Sequence, residues 1–203
     1  MFTRYFLIVL TFLLGGCINL QPSDQFDQIM LTSGYTEKQQ QEINLVNPVA
    51  WQLVVERPSA TAFYNSSQVV VVANGYDYSY AKGIRWTGRL PDLLQSTLIN
   101  FFDRTHKIEG VGAPSVGLQA KYRLIVGIDK FDISISEGYQ KQQVDLVLSV
   151  KLLDLKTLSI VDKKFFSATS IIVNNRLKNV SQAFNSAFSE LMFSVFKWII
   201  LHK

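Results

Sequence analysis

Three stretches in the second half of the chain alternate apolar and polar residues with a period of two. Tyr122, Leu124, Val126 and Ile128 are interleaved with Lys121, Arg123 and Asp129. Val144, Leu146, Leu148, Val150 and Leu152 form a cleaner apolar row, opposed by Asp145, Ser149 and Lys151. After a turn at Asp154–Ser159, Ile160–Ile172 returns. Successive side chains of a strand point to opposite faces, so these patterns predict an antiparallel meander with one wet and one covered face. Earlier in the chain, Phe26–Leu31 and WQLVVE (Trp51–Glu56) predict strands. QVVVVA (Gln68–Ala73) has the continuous β-branched character of a strand buried on both faces. Asn74-Gly75 then predicts a hairpin turn into YDYSY.

Two segments switch to helical spacing. Leu90, Leu93, Leu94, Leu98, Phe101 and Phe102 make one stripe, with Pro91 suited to a first helical turn and an end near Thr105. From Leu177 to Ile200, the residues Leu177, Val180, Phe184, Phe188, Leu191, Met192, Val195, Trp198 and Ile199 share a second stripe. The glutamine-rich Ser33–Pro48 has no clear period and is expected to be a loop; the glycine-rich Glu109–Gly117 is expected to be a linker. Together these elements predict an α+β domain: a mostly antiparallel sheet with two amphipathic helices packed on one face.

The first twenty residues have a different character. Arg4 precedes a ten-residue apolar run, Tyr5–Leu14, which as a helix would rise about 15 Å, roughly half a bilayer's hydrocarbon core. That is the length of a signal-peptide apolar region. Leu14-Gly15-Gly16-Cys17 follows, holding the only cysteine of the 203 residues, and it resembles the bacterial lipobox. The expected organisation is a signal peptide over 1–16, a lipidated tether over 17–25 and a single domain over 26–203. Cys17 then carries diacylglycerol and an N-acyl chain; with two or more acyl chains, attachment to the membrane is stable. Ile18 in second place, by the sorting pattern of enteric lipoproteins, directs the protein to the periplasmic face of the outer membrane.

Composition narrows the function further. A 48% apolar and 18% charged chain supports a packed core and argues against disorder. The formal charge of +4 is scattered, without the basic cluster that nucleic-acid binding requires. Neither His106 nor His202 neighbours a catalytic triad pattern, and no zinc spacing or nucleotide-binding glycine motif occurs. Asp129 with Asp132, and Asp92 with Asp103, are better explained as solvated strand and helix positions than as paired catalytic carboxylates. No catalytic residue, metal or further cofactor is therefore expected.

Several motifs in order resemble the ABC-type transport auxiliary lipoproteins, the PqiC-like group. YDYSYAKGIRWTGRLPDLLQSTL places Tyr78, Tyr80, Arg85, Trp86, Leu90 and Leu94 as that family does. YRLIVGIDKF, KLLDLKT, KKFFSATS and a final helix ending near Trp198 follow. The sequence departs from the pattern at Phe26–Leu31, where members often carry tandem tyrosines, and in the glutamine-rich insert. The resemblance implies an accessory lipoprotein that works with an MCE-domain protein and an ABC-type complex to move lipids between membranes. A homo-oligomer surrounding a channel would fit that role. An envelope lipoprotein that regulates or scaffolds a peptidoglycan-synthesis or secretion complex is the alternative, and a direct lipid carrier would need an apolar cavity between sheet and helices.

The candidate partner-binding residues are Tyr76, Tyr78, Tyr80, Arg85 and Trp86. Trp and Arg are enriched among interface anchors, whereas a packing tryptophan at the helix start is the competing reading for the Arg85-Trp86 pair. Alternating tyrosines on an edge strand would suit pairing with a partner's sheet.

Overall fold

The computed structural model describes residues 26–32, 34–136, 142–174 and 176–202. The expected signal peptide, the tether and Cys17 lie outside these residues. Nine strands form one sheet: β1 (Asp27–Ile29), β2 (Val49–Val55), β3 (Ser59–Ala60), β4 (Gln68–Ala73), β5 (Asp77–Trp86), β6 (Ile108–Gly112), β7 (Tyr122–Ile135), β8 (Gln142–Asp154) and β9 (Ser159–Ile171). The helices are α1 (Glu37–Leu45), α2 (Leu90–Arg104) and α3 (Leu177–Ile199), with a short 3₁₀ turn at Pro114–Val116.

The predicted meander is present. β7 pairs with β8, and β8 with β9, both antiparallel over nearly their full lengths. The sheet as a whole is mixed rather than mostly antiparallel. β2, β3 and β4 lie in succession along the other edge of β7, all parallel to it. β6 is parallel to β2, and β1 to β5. Hydrophobic alternation records which face a residue takes but carries no information about strand direction, which is why the parallel half was not foreseen.

Two quiet regions turn out to be regular. The expected loop at 33–48 contains α1. Thr36 caps it: its hydroxyl accepts from the Gln39 backbone N–H at 3.3 Å, and the Gln39 side chain accepts from the Thr36 N–H at 2.9 Å. Such a capping box satisfies two otherwise orphaned donors, so the helix forms although only Ile43 of it is buried. The expected linker at 109–117 contains most of β6 and the 3₁₀ turn.

A one-residue bulge in β7 decides what the sheet presents. Ile128 faces Leu148 and Lys130 faces Val147, leaving Asp129 unpaired. Because side chains alternate, that extra residue exchanges the faces of everything after it. Phe131 and Ile133 take over the apolar face from Tyr122–Ile128, and Asp132 is sent to the opposite one. On the apolar face Phe131 stacks on Phe184 of α3 with centroids 5.8 Å apart, and Trp86 meets both rings, at 5.6 and 4.8 Å. Phe166 of β9 meets Trp198 at 5.7 Å, and Phe101 of α2 meets Phe196 of α3 at 6.4 Å. Each such pair adds about 0.5–1.5 kcal/mol beyond the area it buries.

Candidate functional site

The reverse face of the sheet follows from the registers. One row runs Tyr80, Val70, Asp132, Asp145, Thr169; the next runs Tyr78, Val72, Ser134, Gln143, Ile171. After β3, segment 61–67 crosses part of this face as a strap. It is held by the Trp86 N–H donating to Ser67 O at 2.8 Å, the Leu90 N–H to Ser66 O at 2.9 Å, and Arg89 to Asn65 O at 3.0 Å. Arg57 pairs with Asp92 at the start of α2.

The strap contributes two neighbouring aromatics with opposite roles. Tyr64 points inward and its hydroxyl donates to Asp132 Oδ2 at 2.6 Å, while Ser134 Oγ donates to Oδ1 at 3.1 Å. Asp132 is fully buried. Burial raises its pKa above the ordinary carboxylate range, against the opposing pull of Tyr64, Lys130 and Ser134. Burial, and then the Asp132 carboxyl, also push the Tyr64 hydroxyl upward. No solvent reaches Asp132, and its bond with Tyr64 latches the strap to the sheet. Lys130 and Gln143 pair with Asp145 beside it.

Phe63 points outward. Its ring lies 5.1 Å from Tyr78 and 5.8 Å from Tyr80, and all three are exposed. The result is an aromatic patch mounted on a rigid base, with rings that lose little freedom on binding because they already support one another. β1 covers β5 only at Ile84–Trp86, so Asp77–Gly83 has no strand beside it on that edge among the described residues.

The five sequence-predicted residues separate. Tyr78 and Tyr80 join the patch. Tyr76 stands in the hairpin turn, 73% exposed, where Asn74 and Gly75 both take the positive φ that a two-residue Asn-Gly hairpin demands. The Arg85 guanidinium lies over the Phe26 ring at 3.5 Å. Trp86 is 2% exposed and packed against Phe131 and Phe184, so it belongs to the core and offers no surface to a partner. Phe63 and Tyr64 escaped the sequence reading, and Asp132, expected at a solvated strand position, is buried. An adjacent Phe-Tyr in an otherwise polar, turn-forming stretch was the available signal for the first two.

Elsewhere, an open apolar groove of about 610 Å³ runs along Val46, Pro48, Val49, Trp51, Ile200 and Leu201, with Lys121 at its side. It lies at the rim where β2 begins and α3 ends. No helix among the described residues is long and apolar enough to cross a membrane.

A family model described as the ABC-type transport auxiliary lipoprotein component matches residues 34–194, from before α1 to within α3. The chain belongs to that family. Solved structures share the fold. A Xanthomonas campestris protein superimposes with a TM-score of 0.73 at 19% identity, over 87% of this chain and 95% of its own. A Chlamydia trachomatis protein does so with a TM-score of 0.52 at 9% identity, over 74% of this chain and 96% of its own. No curated protein sequence matches significantly.

Proposed function

We propose that this auxiliary lipoprotein is a non-enzymatic, Cys17-anchored component of an intermembrane lipid-transport system. It sits on the periplasmic face of the outer membrane and grips an MCE-domain partner. Family membership supports a transport accessory. The observation that carries the partner-binding role is the exposed Phe63–Tyr78–Tyr80 patch, fixed from beneath by the Tyr64–Asp132 latch. Clustered aromatics on a stiff base are the usual anchors of protein interfaces, and the edge of β5 at 77–83, open among the described residues, lies beside them.

The test is crosslinking in cells from a photoreactive residue placed at Tyr78 or Phe63, with identification of what is captured. Reproducible capture of an MCE-domain protein from Tyr78, and none from exposed Leu158 at the far end of the sheet, is the expected result. Capture of a peptidoglycan synthase or a secretion component would replace this reading with the scaffold alternative.

A further inference from the structure

The registers also define one end of the sheet. The Asn74 N–H donates to Ile135 O at 3.1 Å, Ile135 pairs with Gln142, and the Ile172 N–H donates to Gln142 O at 2.9 Å. These residues form a row across β4, β7, β8 and β9. Beyond one end of the row stands Tyr76, and beyond the other Val173, 83% exposed, with Ile171 also exposed. Arg176 and Lys178 are exposed at the start of α3, directly after Val173.

The start of β1 faces this same end. β1 is parallel to β5, with Asp27 opposite Ile84 and Ile29 opposite Trp86. Parallel strands begin at the same end of a sheet. β5 begins just after the Asn74–Tyr76 turn, so β1 also runs away from the side on which that turn lies. Phe26 is also held on Arg85. Only eight residues lie between Cys17 and Phe26, and the nine steps from one to the other span about 30 Å when fully extended. A lipid attached at Cys17 therefore lies within about 30 Å of Phe26, and the start of β1 faces this end.

We infer that the sheet end carrying Tyr76, Ile171 and Val173 is a membrane-resting surface whose occupant is the lipid-water interface of the bilayer holding the anchor. Tyrosine favours that interface because its ring prefers the apolar side and its hydroxyl the wet side. Arg176 and Lys178 are placed to meet headgroup phosphates. This surface is distinct from the Phe63–Tyr78–Tyr80 patch on the flank, and seating it would hold the patch at a fixed height above the membrane. The inference rests on the anchored reading of Cys17.

The test uses the full acylated protein in phosphatidylethanolamine–phosphatidylglycerol vesicles. Acylation blocks Cys17, so the single variants Tyr76→Cys, Val173→Cys and Leu158→Cys each offer one thiol for an environment-sensitive fluorophore. Leu158, in the turn at the opposite end, is similarly exposed at 74%. Labels at 76 and 173 should be blue-shifted and quenched about threefold more strongly by headgroup-region nitroxide lipids than the label at 158, as interfacial burial requires. Equal quenching at the three sites, or stronger quenching at 158, overturns the inference. So does protection of 76 and 173 that appears only when a partner protein is added. If the protein fails to float with vesicles at all, the anchor reading fails; if it floats with the tip labels in water, this inference alone fails.

Discussion

The two faces of one sheet have been put to different uses. On the apolar face, β7, β8 and β9 meet α3 through Phe131, Phe166, Phe184 and Trp198, all buried and interlocked. On the reverse face the same strands carry Asp132 buried, Ser134, Gln143 and Asp145 half-buried, and Phe165, at 72% exposure, and Ile171 exposed. Only the strap covers part of it. Stability is concentrated on one side, which leaves the other free to hold polar groups and exposed rings without unfolding the domain.

Substitutions on the two faces should differ accordingly. Phe184→Ala removes the ring that joins Trp86 to Phe131, and is expected to cost about 3–5 kcal/mol in urea unfolding. A loss below about 1 kcal/mol would mean that the apolar face is not the main source of stability.

Tyr64→Phe should cost about 1–3 kcal/mol at neutral pH, since it leaves a buried carboxyl short of a donor. The pH dependence sharpens this. A carboxyl whose pKa is raised by folding favours the folded state when protonated. Its contribution is complete below the unfolded carboxylate value and is lost as pH rises through the raised value. Asp132→Asn should therefore flatten the decline in stability as pH rises above the ordinary carboxylate range, measured as the difference from the parent protein. Tyr64→Phe, which removes a donor that lowers the Asp132 pKa, should move the decline to higher pH. Parallel pH profiles for Asp132→Asn and the parent would remove Asp132 from the account.

The smallest effect on stability belongs to Tyr80→Ser, expected within about 0.5 kcal/mol by thermal or urea melts, because the side chain is already exposed. The same change should sharply reduce crosslinking from Tyr78. A large stability loss would show that the patch belongs to the folded core.

The contrast between the faces also marks where the sequence could be read. Residues such as Leu146, Leu148, Phe184 and Leu191 declare their face by spacing alone, so the meander and both long helices were visible. Beyond Ile128 that reading fails: the bulge at Asp129 shifts the alternation, and Asp132, expected at a solvated position, lies on the reverse face buried beneath Tyr64. α1 has no apolar stripe and shows itself only through the Thr36–Gln39 capping pair. At the candidate site, Tyr78 and Tyr80 were found by their alternation. Trp86 was a core residue in a sequence context that suited either role. Tyr64 and Asp132 are 68 positions apart, and no local pattern joins them.

The run of parallel neighbours along β7 has a consequence for how the molecule comes into being. Whether released from the ribosome or threaded through a membrane, the chain appears amino end first. β4 can close at once on β5, but β2 and β3 have no strand to pair with until β6 and β7 arrive. Closing such distant pairings is slow, and the apolar Trp51–Val55 stretch is open to wrong partners until then. A holding chaperone that binds extended apolar segments would have its most urgent task there.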